Sequence, residues 1–165
     1  MTTAEQDVMI REFAPGDEAA FRELNEEWII RHFTLESKDE AALADPQGTI
    51  LESGGRIFFA VRQSRIVGCC ALLAMSPGEY EVAKMAVTES CRGAGIGRRL
   101  LETVISEARA SGASRLYLET NQKLEPAIRL YESVGFRHIP PERVVASPYA
   151  RSNVSMELDF RKSRS

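Results

Sequence analysis

Arg92-Gly93-Ala94-Gly95-Ile96-Gly97-Arg98 is the stretch on which the reading of this chain turns. Its three glycines lie between residues 80–87, which read as a strand, and residues 97–110, which read as a helix. Glycines let backbone N–H groups turn toward an anion and approach it closely, and a helix N-terminus adds partial positive charge. The outline is a pyrophosphate cradle, with Arg92 and Arg98 at its edges to neutralise phosphate charge. A structural glycine turn is the competing reading, because short glycine patterns are weak when taken alone. A P-loop is excluded, since it needs a lysine and then serine or threonine after its last glycine, and Arg98-Arg99 follow here. A dinucleotide fingerprint is excluded too, since the spacing is G-x-G-x-G and what precedes it reads as an antiparallel meander.

Working upstream, residues 57–61 are β-branched and aromatic enough for a buried strand, and Gln63-Ser64-Arg65 connects it as a hairpin to the apolar run 66–75. Pro77-Gly78 suits a type II turn into the third strand, residues 80–87. Nearer the start, residues 8–13 read as a strand, and Asp17 after Pro15-Gly16 caps a helix running to about Ile30 on the spacing of Ala20, Phe21, Leu24, Trp28 and Ile29. A shorter helix covers residues 38–44 and stops at Asp45-Pro46. Downstream, Leu100, Leu101, Val104, Ile105 and Ala108 mark one face of the helix after the glycines. Residues 115–120 form a strand, residues 124–134 a helix closed by Gly135, and residues 155–160 a last strand.

Bulk composition narrows the classes. A chain of 165 residues, 44% of them hydrophobic, buries one core and forms one domain spanning residues 1–165. The net charge of −3, left between 21 basic and 24 acidic residues, excludes a polybasic nucleic-acid surface. Cys69, Cys70 and Cys91 lack metal-ligand spacing and read as reduced core thiols, so no metal is expected. The apolar run 66–75 is shorter than the about 20 residues that a membrane helix needs, and residues 1–8 show no secretory pattern. A soluble cytoplasmic protein is the expectation.

The stretch 92–97 also matches the coenzyme A signature of the GCN5-related N-acetyltransferase (GNAT) superfamily: arginine or glutamine, two residues, glycine, one residue, then glycine or alanine. Lys84-Met85-Ala86-Val87 is similar to that family's fourth strand, and Asn121, Ala127 and Leu130-Tyr131-Glu132-Ser133-Val134-Gly135-Phe136 to its closing strand, helix and glycine-phenylalanine. With these separated motifs in the right order over residues 57–137, the chain resembles that superfamily. The resemblance implies an α/β (α+β) fold with a mixed, mostly antiparallel sheet flanked by helices, whose strands 80–87 and 115–120 splay so that pantetheine fits between them. It implies acetyl-CoA as acyl donor, held by Met85, Ala86 and Val87, by the loop Arg92, Gly93, Ala94, Gly95, Ile96, Gly97 and Arg98, and by Asn121 and Ala127, with the Met85 amide facing the thioester carbonyl. The acceptor implied is a primary amine, a small molecule being favoured because no long acceptor-binding insertion is apparent. A peptide amine, as in a protein N-terminal or lysine acetyltransferase, stays open, as does a sensor that binds acyl-CoA without turnover. A homodimer is compatible with the resemblance, although no self-complementary surface is legible.

Tyr131 matches the family's tyrosine that protonates the departing thiolate, and its spacing also permits a core aromatic. An amine must lose a proton before it attacks, and Glu81 is the candidate base. It lies four residues before Met85, on the same side of an ideal strand, where some family members, histone acetyltransferases among them, carry their base. A solvated edge carboxylate is the other reading. Glu119 and Asn121 share a side of their strand and could hold a water. Trp28, Arg31, His32 and Phe33 fall where the family places its acceptor wall, and Tyr149, Arg151, Ser152 and Asn153 could add polar contacts. The transfer implied is direct, in a ternary complex, without a covalent enzyme intermediate; replacing Cys91 with alanine should leave activity largely intact.

Overall fold

The computed structural model describes residues 8–91 and 93–161. Arg92, assigned above to the phosphate cradle, lies outside the described residues. In chain order the elements are β1 (Val8–Glu12), α1 (Glu18–His32), α2 (Ser37–Ala44), β2 (Arg56–Arg62), β3 (Arg65–Ala74), β4 (Glu79–Val87), α3 (Ile96–Ala110), β5 (Arg115–Thr120), α4 (Glu125–Ser133), β6 (Arg137–His138) and β7 (Val154–Asp159). They build one sheet ordered β1-β2-β3-β4-β5-β7-β6, antiparallel except where β4 meets β5.

Both faces of the middle strands are covered, and that is why residues 57–60 are apolar without alternation. Phe58 and Ala60 face α3, packing with Leu100, Leu101 and Val104. Ile57 and Phe59 face α1, where Phe21 meets the Phe59 ring edge-on at 6.4 Å between centroids. Both rings are fully buried, which stabilises the fold by about 1.5–3 kcal/mol for each. The approach of α3 depends on Gly68: a Cβ there would stand 3.0 Å from Leu100 Cδ1 and 3.3 Å from the Ala86 carbonyl oxygen.

The elements follow the sequence with local corrections. Helix α1 runs on to His32, past the expected end, and α3 starts at Ile96. Asp17 precedes α1 as expected but does not cap it. Its carboxylate accepts from the Ala14 amide at 2.8 Å and pairs with Arg11 at 2.7 Å, so it holds the turn to β1 instead. A π-helical turn at Gln47–Leu51 and the two-residue strand β6 carry no period long enough to read. Helix α4 has no fully buried residue, since its inner face looks onto a cleft. Among the described residues no helix is long and apolar enough to cross a membrane.

Candidate active site

Strands β4 and β5 pair in parallel only at their beginnings, with Glu79, Tyr80 and Glu81 opposite Arg115, Leu116 and Tyr117. Beyond that point each strand stays with its other neighbour: Ala86 and Val87 pair with β3, while Leu118, Glu119 and Thr120 pair with β7. A wedge opens between them, and α4 lies along it with Ala127 and Tyr131 on the lining. Strand edges left unpaired in this way offer main-chain donors and acceptors to an extended ligand.

Inside the wedge β4 is bulged. Between the pairs Ala71↔Ala83 and Cys69↔Ala86, two β4 residues, Lys84 and Met85, stand against the single residue Cys70. Lys84 takes φ 55, a left-handed conformation uncommon for a side-chain-bearing residue. The bulge overturns the expectation that Glu81 and Met85 share a side. Glu81 pairs with Leu73, which packs on the α1 face, whereas Met85 packs toward the α3 core. The carboxylate therefore opens on the α1 side of β4 and the methionine on the other, with the main chain at Lys84 and Met85 between them.

The glycine loop meets the needs of a phosphate group. Gly93 and Gly95 take φ 80 and φ 78, and Gly95 is the N-cap of α3 with no side chain capping that helix. The first-turn N–H groups lack earlier carbonyls as partners by construction, so the loop and helix present donors and positive potential together. Ile96 is 1% exposed and its side chain belongs to the core, so only its backbone serves the loop. Arg98 bridges α3 to α4, donating to Ser133 Oγ at 2.6 Å and pairing with Glu102 at 3.5 Å.

The cleft encloses about 110 Å³ and gathers most of the sequence-derived candidates: Trp28, Phe33, Glu81, Met85, Glu119, Asn121, Ala127 and Tyr131 all line it. Ala86 does not, since its side chain is buried on the α1 face, and Val87 packs toward α3. His32 is off the lining, its ring tilted at 52° to that of Trp28 with 5.2 Å between centroids. Gly93, Ala94, Gly95, Gly97 and Arg98 lie outside it, on the loop and at the start of α3. Asn121 is engaged at both ends of its amide, donating to the Arg151 carbonyl at 2.7 Å and accepting from the Lys123 amide at 2.9 Å. Tyr149, Arg151 and Ser152 reach the lining, while Asn153 instead accepts from the Gln122 amide.

Burial pushes the Glu81 carboxyl up to about 7, and repulsion from Glu119 adds to the shift while Lys84 opposes it. Glu119 accepts from the Tyr117 hydroxyl at 2.8 Å and the Ser147 hydroxyl at 2.6 Å. Burial also raises the Tyr131 phenol well above its ordinary value, which keeps it protonated and able to donate. The Cys69 thiol is pushed up to about 12 and the Cys70 thiol higher, both by burial, so neither supplies a thiolate nucleophile near neutral pH.

One part of the site has no local signal in the sequence. Asp39, fully buried, takes both Arg151 nitrogens at 2.8 and 2.6 Å, the Glu36 amide at 2.9 Å and Lys84 Nζ at 3.5 Å. Burial alone would raise its carboxyl, but these donors overcome it and hold the group below the usual carboxylate range. Lys84 Nζ also donates to the Tyr149 hydroxyl at 3.2 Å. Asn25, 2% exposed, lines the cleft from α1 and spends its amide N–H on the Phe21 carbonyl and Cys69 Sγ. Helical spacing shows Asn25 on the inner face, but nothing local marks Asp39 and Lys84 as partners.

Residues 18–136 match the acetyltransferase (GNAT) family. The IAA acetyltransferase of Azospirillum brasilense is 38% identical over 112 residues, 67% of this chain and 71% of that protein. The chain spans about half the length of several other curated relatives that it matches. An acetyltransferase of the GNAT family from Staphylococcus aureus superposes with a TM-score of 0.83 at 22% identity, covering 93% of this chain and 99% of that one. The yncA protein of Salmonella typhimurium, solved with its cofactor acetyl-CoA, superposes at 0.73 with 21% identity, covering 93% and 94%. At those identities the two structures establish the shared fold.

Proposed function

This chain belongs to the GNAT acetyltransferase family, and from that premise we propose that it carries the acetyl group of acetyl-CoA directly to a primary amine, small amines being favoured. The observation that carries the reading is the wedge between β4 and β5, which brings the bulged main chain of Lys84 and Met85, the Glu81 carboxylate and the Tyr131 phenol into one cleft.

Acetyl-CoA supplies, when bound, an acyl group already activated as a thioester. The loop 93–97 and the α3 N-terminus would hold its phosphates, and the unpaired edge of β4 its pantetheine arm. The Met85 N–H, carried at the bulge, would be the donor that stabilises the thioester oxygen as negative charge develops. An alkylamine has an ordinary pKa near about 10, so it arrives as an ammonium. Glu81, raised to about 7, takes a proton from it directly or through a water. The neutral nitrogen then forms its bond to the acyl carbon, the carbon–sulfur bond breaks, and Tyr131 gives its proton to the departing sulfur. The second proton lost from nitrogen restores the phenol through solvent. The products are the N-acetyl amine, the free thiol and one proton released from Glu81.

The raised, buried thiols support direct transfer over an acetyl-cysteine route. The test is thiol release from acetyl-CoA in the presence of a panel of amines, followed by intact-protein mass after mixing with acetyl-CoA alone. Amine-dependent release without a mass increase of one acetyl group is expected. An acetylated protein that passes its acetyl group to amine would contradict direct transfer.

A further inference from the structure

The charges that face the cleft do not cancel. Among its described lining residues the cations are Lys84 and Arg151, and each is already matched. Arg151 is bidentate to Asp39 and also pairs with Glu36 at 3.3 Å, and Lys84 shares Asp39 at 3.5 Å. Two positive charges therefore stand against two negative ones in that network. Lys123 is outside the lining: its Nζ donates to the His32 carbonyl at 3.0 Å and lies 4.2 Å from the Phe33 ring centroid.

Glu81 and Glu119 remain. Glu81 forms no hydrogen bond or ion pair among the described residues, and Glu119 is held by neutral hydroxyls alone. They face each other across the wedge closely enough for Glu119 to raise the Glu81 carboxyl. The hydroxyl of Tyr117, pushed up to about 12 by burial first and by both carboxylates in part, stays a neutral donor and cannot balance them. Along α1 and its end the lining is Trp28, Ile29 and Phe33 together with Asn25, whose amide N–H is already spent on the Phe21 carbonyl and Cys69 Sγ. An acceptor carboxylate entering here would meet two like charges and no unmatched cation on the lining, whereas an ammonium would meet two carboxylates and a largely apolar α1 wall.

We propose that the acceptor is an alkylammonium carrying no carboxylate beside its reacting nitrogen, held between Glu81 and Glu119, with Glu119 the binding carboxylate and Glu81 the one that takes the proton. This rests on the acyltransferase reading above and narrows its substrate class. A free amine and a lysine side chain within a peptide share this chemistry, while the α-amino groups of free amino acids do not.

The test uses matched pairs that differ by one carboxylate beside the reacting nitrogen: 3-methylbutylamine against leucine, and 2-phenylethylamine against phenylalanine. Nα-acetyl-lysine amide, read against 1,5-diaminopentane, serves as the peptide arm. Turnover is read by thiol release, and binding of each amine to the coenzyme A-loaded protein by calorimetry, so that an unreactive amine still reports. In each pair the decarboxylated member should win by roughly 30-fold or more in kcat/KM or in affinity, as expected when a charged group is left unpaired in a shielded site. Reaction of Nα-acetyl-lysine amide at the rate of the free diamine would assign the peptide source, and a clear preference for the diamine the free one. Glu119→Gln should raise KM for the amine more than it lowers kcat, shrink the preference within each pair, and leave acetyl-CoA affinity unchanged. Equal or better use of the amino acids, or an unchanged preference in Glu119→Gln, overturns the inference while acetyl-CoA binding leaves the acyltransferase reading standing. Failure to bind acetyl-CoA at all would remove both.

Discussion

The two walls of the cleft are built by different means. The wall proposed for the donor is nearly continuous in sequence, running from the β4 bulge through the glycine loop into α3, and what it offers is backbone N–H groups and a helix end. The wall proposed for the acceptor is assembled from side chains of α1, β4, β5 and the segment before β7, backed from α2 by buried Asp39, whose contact with Arg151 joins residues 112 positions apart. A backbone cradle tolerates many side chains but needs particular backbone angles. A side-chain network tolerates many backbones but needs particular charges. The two walls should therefore fail separately, and the predictions below ask whether they do.

The largest effect is expected where the walls meet. Tyr131→Phe removes the proton donor and keeps the ring against Phe136, 6.1 Å away, so kcat should fall roughly 10²- to 10⁴-fold. Acetyl-CoA affinity should be unchanged; an equal loss of affinity would make Tyr131 a piece of the donor wall and not the acid. Next is Asp39→Asn, which leaves Lys84 and Arg151 without their shared charge. Stability should drop by about 3–5 kcal/mol, as when one partner of a buried pair is removed, measured by urea unfolding. Among folded molecules the amine KM should rise and acetyl-CoA affinity hold; loss of both would mean that the walls are one unit.

Glu81→Gln separates chemistry from stability. Because the Glu81 carboxyl is raised, the folded state holds its proton to higher pH than the unfolded chain does. Its contribution to stability is thus fully present below the ordinary carboxylate range and lost as pH rises through about 7. The parent kcat should climb over the same interval as the base ionises. The glutamine variant should lose that climb and be more stable than the parent at pH 8, with the gap narrowing toward pH 5. A variant that keeps the parent's pH profile would point to a different base. The smallest effect is expected far from either wall: Gly68→Ala crowds Leu100 and the Ala86 carbonyl and should cost about 1–3 kcal/mol without altering either substrate's affinity.

What the sequence disclosed follows the same division. The backbone of the glycine loop was legible because glycines before a helical period mean a specific backbone, and residues 115–120 were read with the bounds that the strand has. The apolar face of α3 and the three core thiols were equally local signals. The bulge was not legible. Neither Lys84 nor Met85 is a residue type that announces a left-handed angle, and Lys84 is held there from outside its strand. Its Nζ reaches Tyr149 and Asp39, and its carbonyl accepts from the Cys69 thiol at 3.3 Å. An ideal two-residue alternation therefore set Glu81 and Met85 on one side, and tertiary contacts overrode it. Asp17 failed in a similar way, because Arg11 and the Ala14 amide outcompeted the helix end for its carboxylate. Trp28 and Phe33, placed at the acceptor side by the family resemblance, line the cleft, whereas His32, placed with them, is off the lining with its ring against Trp28.

The most direct test of the account is calorimetric titration of acetyl-CoA into the protein and into Gly95→Glu. Gly95 holds φ 78 as the N-cap of α3, so glutamate there brings both strain and negative charge to the donors of the loop. The parent should bind one equivalent, and the variant, still folded by circular dichroism, should bind at least roughly 100-fold more weakly. Equal binding by the two proteins would place the donor elsewhere, and no binding by either would contradict the reading of this cleft as an acetyl-CoA site.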